Sequence, residues 1–309
     1  MNKRVNAHPS RIFRRIWEAR ELYLLMILPI AWYALFRYGP LYGIQIAFRD
    51  YRVSLGFWGS KWVGLEHFER FFQSFYIERL ITNTLSINIL SLLIGFPVPI
   101  LFALLLNEIN HERYKKTLQN VTYIPHFLST VVLVSILQLI FNPNTGVYNM
   151  VRMKLGMSST NYFVSATAFK PLYILSGIWQ NMGWDSILYI AALSGIDVAL
   201  YEAATIDGAS RLQKIRYVSI PGILGTITIM LLLRTGQIMN IGYEKILLMQ
   251  NDLNRSSSDV ISTYVYRSGM LEGNYSFSTA INLFNSVCNI VLLFMANFTA
   301  KRLGGTSLW

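Results

Sequence analysis

Charged side chains are scarce in this chain. Of its 309 residues, 14% are charged and 53% are hydrophobic. Soluble domains carry about a quarter charged residues and a smaller apolar share, and a single soluble core stops growing at about 250–300 residues. The apolar excess therefore disfavours a soluble fold and indicates a chain that lies in a lipid bilayer.

Cysteine and histidine are also scarce, and common catalytic motifs are absent. The one cysteine, Cys288, excludes an intrachain disulfide and a cysteine metal cluster. With four histidines, a dedicated transition-metal site is not expected. The sequence lacks the GxxxxGKS/T loop that cradles nucleotide phosphates, and it lacks HExxH, CxxC and GxSxG. We therefore predict no catalytic residue, no metal site and no enzymatic activity in this chain.

Long apolar runs are the main positive feature. None shows the alternation of a barrel strand, and each exceeds the roughly ten residues that such a strand needs. Helices are then the remaining way to satisfy every backbone group in lipid. The sequence predicts an all-α integral membrane protein with about six transmembrane helices, at residues 21–46, 81–106, 121–141, 172–193, 218–241 and 280–300.

The net charge of +11 is unevenly placed along the chain. Basic residues crowd the short segments before the first run and after the second, fourth and sixth runs, whereas the other loops mix them with acids over a longer length. The positive-inside rule therefore places the N and C termini in the cytoplasm, and the charge needs no nucleic-acid partner. No small-x-small cleavage site follows the first run, so we predict a retained helix. Residues 1–20 form a basic cytoplasmic segment, and residues 21–309 form the membrane domain.

The loop between the fourth and fifth runs, at about 195–221, carries the most specific motif. Glu202-Ala203-Ala204 favours a helix, and Asp207 is suited to capping a second helix. Gly208 permits a sharp turn. Pro221 suits the first turn of the next span, where its missing N–H is tolerated. An ordinary amphipathic connector would share several of these features.

The spacing of the loop resembles a known family. Three residues separate Glu202-Ala203-Ala204 from Gly208, and Ile220-Pro221 follows after eleven more. This pattern resembles the EAA coupling loop of ATP-binding-cassette (ABC) importer permeases. Asp207 and Ala209, which flank the glycine, match the sugar-transport branch of that family.

Other segments extend the resemblance over most of the chain. Residues 62–68 look like the VGLENF segment of maltose-type permeases, with His67 where asparagine is usual. The LplB-like oligosaccharide branch, often associated with uronic-acid sugars, is similar at Gly39-Pro40-Leu41-Tyr42-Gly43, Ile124-Pro125-His126-Phe127, Tyr264-Val265-Tyr266-Arg267 and Ser307-Leu308-Trp309.

The resemblance implies a type I ABC importer permease fold and a division of labour. A second, homologous permease subunit would complete the pathway, commonly as a heterodimer. Two ATPase subunits would bind ATP and Mg²⁺, so this chain would need no cofactor, and an extracytoplasmic binding protein would deliver an oligosaccharide. The expected location is the bacterial cytoplasmic membrane. The residues expected to couple the chain to the ATPases are Glu202, Ala203, Ala204, Asp207, Gly208, Ala209 and Pro221.

Polar residues inside the predicted spans are candidates for the substrate pathway. Charged residues at the bilayer centre cost about 2.5–3.5 kcal/mol on insertion scales, so they usually face a cavity or a partner. A sugar would use flat aromatic faces together with amides and carboxylates. Helix–helix hydrogen bonding competes with this interpretation for the amides, and an Asp185–Arg234 ion pair competes with a uronate carboxylate for Arg234. The candidate set is Trp179, Asn181, Trp184, Asp185, Arg234 and Asn285.

Two other function classes remain as alternatives. An ion-coupled secondary transporter of a polar solute would usually show internal repeats or carboxylates at mid-membrane, and Asp185 is the one such carboxylate here. A membrane-embedded enzyme would need a clustered catalytic set, which the sequence does not show. The sequence therefore favours the ABC permease.

Overall fold

The computed structural model of the protein describes residues 17–302. Most of the predicted basic segment at 1–20 lies outside the described residues, as does Ser307-Leu308-Trp309. A small antiparallel pair joins β1 (Arg49–Asp50) to β2 (Lys61–Trp62). The other elements are helices, in chain order α1 (Arg20–Phe48), α2 (Gly56–Gly59), α3 (Glu66–Phe72), α4 (Ile77–Asn107), α5 (Glu112–Phe127), α6 (Thr130–Ile140), α7 (Val147–Lys154), α8 (Ala166–Ser194), α9 (Val198–Ile206), α10 (Arg211–Thr235), α11 (Tyr243–Met249), α12 (Arg255–Ser258), α13 (Ile261–Tyr266) and α14 (Tyr275–Arg302).

Within residues 17–302, four helices are long and apolar enough to cross a membrane by themselves: α1, α4, α10 and α14. Two further pairs, α5 with α6 and α8 with α9, meet that criterion together but are bent by 102° and 73°. Counting each bent pair as one crossing gives six crossings, as the sequence predicts. The mostly helical membrane architecture is therefore confirmed.

The third predicted span, 121–141, is wrong as a single straight helix. Ile124–Phe127 forms a tight 3₁₀ turn that contains Pro125, and Leu128 is extended with ψ 132°. Ser129 then caps α6, because its hydroxyl accepts a hydrogen bond from the Val132 N–H at 3.3 Å. Proline together with a new N-cap breaks the helix at a place where the apolar run continues without interruption.

The fifth predicted span, 218–241, also differs from the structure. α10 ends at Thr235, and the chain then turns through residues 236–240. Leu293 of α14 packs against Gly236, where an added Cβ would lie 2.8 Å from its Cδ1. Asn289 of α14 accepts a hydrogen bond from the Met239 N–H at 2.9 Å. Contacts with α14 therefore fold the last residues of the apolar run away from the helix axis.

The core clusters show how the helices are oriented. Ile87 of α4 shares a cluster with Phe169 of α8 and with Val260, whereas Leu104 of α4 shares another with Leu193 of α8. The 17 residues from Ile87 to Leu104 span about 25 Å of helix, so α4 and α8 run in the same direction. We call the end that holds Val260 the outer end and the end that holds α9 the inner end, following the charge asymmetry.

Asparagine side chains join helices within the bundle. Asn285 and Asn289 of α14 both donate to Asn240 Oδ1, at 3.0 and 2.9 Å. At the outer end, Asn83 of α4 donates to the carbonyls of Ser256 and Asp259, at 2.9 and 3.0 Å. Polar side chains thus serve helix packing, the interpretation that competes with a pathway role for the α14 asparagines.

We expect Gly183→Ala to lower the melting temperature of the detergent-solubilised protein. An added Cβ at Gly183 of α8 would lie 2.3 Å from the Thr122 carbonyl oxygen of α5, and overpacking of this kind costs about 1–3 kcal/mol. Gly43→Ala is the matched control, because nothing lies within 4 Å of a Cβ there. Equal melting temperatures for the two variants would contradict the close approach of α5 and α8.

Candidate functional site

The connection between α8 and α10 is a rigid, capped turn. Asp197 begins α9, since its carboxylate accepts a hydrogen bond from the Ala199 N–H at 2.9 Å. After α9, Gly208 has φ +77°, and the Ala209 N–H donates to the Ala204 carbonyl at 2.9 Å. This is a Schellman-type helix end, in which the left-handed residue is usually glycine. The sharp turn expected at Gly208 is present.

One structural detail of the predicted loop needs correction. Asp207 does not cap the following helix, because its own N–H still donates to the Ala203 carbonyl at the end of α9. Ser210 caps α10 instead, in a reciprocal capping box with Gln213. Pro221 lies in the first turn of the α-helical part of α10, Ile220–Thr235, as predicted. A π-helical turn at Ile215–Ser219 joins this part to the short helix that starts at Arg211.

The segment 198–219 is held together by two side-chain contacts and exposes apolar groups. The hydroxyls of Tyr201 and Ser219 lie 2.9 Å apart, and Lys214 Nζ donates to Thr205 Oγ1 at 2.8 Å. Glu202, Ala203 and Ala204 lie in α9 within this frame. The side chains of Ile206 and Leu212 are 86% and 79% exposed. Exposed apolar groups on a fixed frame are suited to binding another protein.

A cavity of about 400 Å³ lies between α4, α8, α10 and α11. Three of the predicted pathway residues, Asn181, Asp185 and Arg234, line it. Asp185 of α8 and Arg234 of α10 form an ion pair, the competing interpretation that the sequence left open. The lining residues are Asn88, Ser91, Gly95, Pro99, Tyr173, Ile174, Gly177, Ile178, Gln180, Asn181, Met182, Asp185, Arg234, Asn240, Ile241, Gly242 and Lys245.

The other three predicted pathway residues do not line this cavity. Trp184 packs against the bend after α5, where its ring stacks on His126 with a centroid distance of 4.4 Å and an interplanar angle of 3°. His126 Nδ1 lies 2.9 Å from Asn181 Oδ1, which ties the same bend to the cavity wall. Asn285 is 9% exposed and is engaged with Asn240. Trp179 is absent from the cavity wall because it lies on another face of α8.

Lys245 is a functional candidate that the sequence did not reveal. Its Nζ donates to the Tyr173 carbonyl at 3.0 Å and lies 4.7 Å from the centre of the Tyr173 ring. Burial lowers the pKa of Lys245 to about 8. Lys245 follows the predicted fifth span, 218–241, and the turn after α10 brings its side chain to the cavity wall. The hydropathy of the sequence does not indicate that the chain folds back toward the cavity after this span.

The cavity wall has an excess of positive charge. Asp185 is paired with Arg234, and within residues 17–302 no carboxylate forms an ion pair with Lys245. Two cations and one carboxylate line the cavity, which leaves one positive charge while Lys245 is protonated. Such a wall favours an anionic ligand with hydroxyl groups, because amides of Asn88, Gln180 and Asn181 are also present.

Comparison with known proteins gives consistent matches. The family described as "Binding-protein-dependent transport system inner membrane component" matches residues 95–305. Protein LplB of Bacillus subtilis is 43% identical, covering 91% of this chain and 88% of that protein. The "Polygalacturonan/rhamnogalacturonan transport system permease protein YteP" of the same organism is 39% identical, covering 97% and 94%.

Solved structures of a bacterial alginate ABC transporter are similar to the whole fold. One is described as involved in the import of the acidic polysaccharide alginate; it has a TM-score of 0.87 and 38% identity, covering 94% of this chain and 99% of that chain. Another, in complex with an alginate pentasaccharide-bound periplasmic protein, has a TM-score of 0.88 and 38% identity, covering 96% and 100%.

We expect Arg234→Met to lower the melting temperature in detergent by several degrees. The substitution leaves the Asp185 carboxylate unpaired between α8 and α10. The free energy of unfolding should fall by about 1–3 kcal/mol, a value between the roughly 0–1 kcal/mol of an exposed ion pair and the roughly 3–5 kcal/mol of a buried one. The exchange Asp185→Arg with Arg234→Asp should recover part of this loss. Lys116→Met, which removes the exposed pair with Glu112, is the control and should change little.

Proposed function

This chain belongs to the family of binding-protein-dependent transport system inner membrane components, and we propose that it is the permease subunit of an ABC importer for an acidic oligosaccharide. The observation that carries the acidic substrate is the positive cavity wall formed by Lys245 and the Asp185–Arg234 pair. The printed descriptions of two relatives support it, since YteP is named for polygalacturonan and rhamnogalacturonan and the alginate transporter for an acidic polysaccharide.

The rest of the assembly follows from the family and from the inner loop. A binding protein outside the membrane delivers the saccharide, and a second permease, a different chain in this proposal, provides the other half of the pathway. Two ATPase subunits bind ATP and Mg²⁺ and receive the exposed apolar groups of Ile206 and Leu212 in a cleft. This chain acts in the bacterial cytoplasmic membrane and supplies no nucleotide site.

The inner loop is placed to act on the charged pair. α8 carries Asp185 and leads into α9, and α10 carries Arg234 and starts at Arg211, three residues after Gly208. When a closing ATPase displaces segment 198–219, both helices that hold the ion pair therefore move. When α8 and α10 separate, Arg234 loses its partner and becomes available to a saccharide carboxylate, which is a strong bidentate partner for arginine. When they return, Asp185 competes with the carboxylate and favours its release.

The ion pair also bears on the alternative of an ion-coupled transporter. A carboxylate that binds a coupling ion must be free to release it, but Asp185 is held by Arg234. The ABC permease is therefore the better supported function. Uptake that persists when the partner ATPase loses its phosphate-binding lysine would reverse this preference.

We expect Gly208→Val to abolish uptake by the assembled importer in proteoliposomes. A β-branched residue is strained at φ +77°, and relaxing the strain would change the angle between α9 and α10. Substrate-stimulated ATP hydrolysis or retention of the ATPase subunits should fall with it. Gly156→Val is the matched control, since Gly156 also has φ +77° and open space around its Cβ but lies after α7. Normal uptake and ATPase retention in Gly208→Val would refute the coupling role of the loop.

We expect uptake of an oligogalacturonate to decrease as the pH rises from 7 to 9. The pKa of Lys245, lowered to about 8, means that the side chain is largely charged at pH 7 and largely neutral at pH 9, while sugar carboxylates stay ionised throughout. In Lys245→Arg the charge persists because arginine titrates above pH 12, so the decrease should be smaller. An identical pH profile in the two proteins would exclude Lys245 as the titrating group.

A further inference from the structure

A buried carboxylate organises the outer end of the bundle. Asp259 is 0% exposed and accepts hydrogen bonds from Arg79 at 2.9 Å and from Arg267 at 3.3 Å. Its other oxygen lies 3.2 Å from Thr263 Oγ1. Two arginines therefore share one carboxylate, and this arrangement fixes them in place with one positive charge in excess.

The two arginines form part of a second cavity, of about 450 Å³. It is lined by Tyr76, Arg79, Arg255, Tyr264, Arg267 and Glu272. None of these residues lines the central cavity, which is formed further along α4. The volume lies within the range of small-molecule sites, about 300–1,000 Å³.

Aromatic rings hold the guanidinium groups of this outer cavity. Arg79 lies over the Tyr76 ring at 5.1 Å, and Arg267 lies over the Tyr264 ring at 5.4 Å. The two rings are themselves 6.0 Å apart. Stacking of this kind orients the planar guanidinium and reduces the entropy lost when it binds a partner.

Arg255 is the arginine whose present partner is easiest to displace. It pairs with Asp252 at 3.1 Å, but the Asp252 side chain is 90% exposed, and exposed pairs contribute about 0–1 kcal/mol. The buried Nε atoms of Arg255 and Arg79 donate no hydrogen bond within the described residues. Glu272 also lines the cavity wall, so with Asp259 and Asp252 three carboxylates stand against the three guanidinium groups, and the weakly held Asp252 is the one that a ligand carboxylate would replace.

We propose that this outer cavity is a carboxylate-binding subsite that receives a uronate residue of the saccharide before it reaches the central cavity. The proposal rests on the proposed function. Paired guanidinium donors match a carboxylate, and the two tyrosines offer apolar surface to a sugar ring. From Arg79 to Asn88, which lines the central cavity, α4 advances about 13 Å. A chain with repeated carboxylates therefore meets cationic groups at the outer end and again in the middle.

The test uses the assembled importer in proteoliposomes, supplied with binding protein loaded with an oligogalacturonate. Arg255→Gln should raise the half-saturating concentration of loaded binding protein about ten-fold, with an unchanged maximal rate, because Arg255 does not support Asp259. Glu272→Gln should lower it, since it removes the competing carboxylate. Arg52→Gln is the control: Arg52 also belongs to the outer region but pairs with Asp50 away from the cavity.

Two other measurements separate the possible outcomes. The complex should retain the same amount of sugar-free binding protein in wild type and in Arg255→Gln. If Arg255→Gln lowers the retention of sugar-free and loaded binding protein to the same extent, the arginines contact the binding protein itself, and the subsite proposal is overturned. Equilibrium dialysis of the purified complex with labelled oligogalacturonate should show weaker binding in Arg255→Gln. Unchanged uptake and binding in both variants also overturns the proposal. Failure of the wild type to transport any saccharide refutes the proposed function instead, and the dialysis measurement still decides the subsite.

Discussion

A bundle surrounded by lipid has no solvent to satisfy polar groups on its outer surface, so each of them must find a partner inside the protein. The arrangement of this chain follows from that constraint. Asn240 ties the turn after α10 to α14, Asn83 ties α4 to the segment before α13, and the Asp185–Arg234 pair ties α8 to α10. Because each contact joins helices that are distant in sequence, these polar side chains determine which apolar faces pack together. The central cavity lies beside the one contact of the three whose partners are charged, the Asp185–Arg234 pair.

The same constraint explains what the sequence could and could not predict. Apolar length alone placed the crossings, because lipid requires it, and the turn at Gly208 was predictable because the steric freedom of glycine is a local property. The bend after Pro125 was not, since the apolar run continues across it. Lys245 was missed for a related reason: its position depends on contacts between α10 and α14, which no local pattern encodes.

The aromatic residues illustrate a second limit. Trp184 has the chemistry of a sugar platform, but one face of its ring is covered by His126, and the ring does not line the central cavity. The chemistry of a side chain indicates what it can bind, whereas its neighbours in the fold determine whether the binding face is accessible. The charged candidates allowed a narrower prediction, because an unpaired charge in a span has few alternatives and the number of available partners is small. For this reason Asp185 and Arg234 could be paired from the sequence as one of two hypotheses.

The exposed apolar side chains of α9 and α10 have a consequence for biosynthesis. In the proposed assembly, Ile206 and Leu212 lie on the cytoplasmic side of the bilayer and are covered by an ATPase subunit, so in a free subunit they would meet water. A surface of this kind attracts other apolar surfaces without discrimination. The cell therefore has a physical reason to make this subunit in step with the proteins that cover it, because any excess would be prone to aggregation and proteolysis.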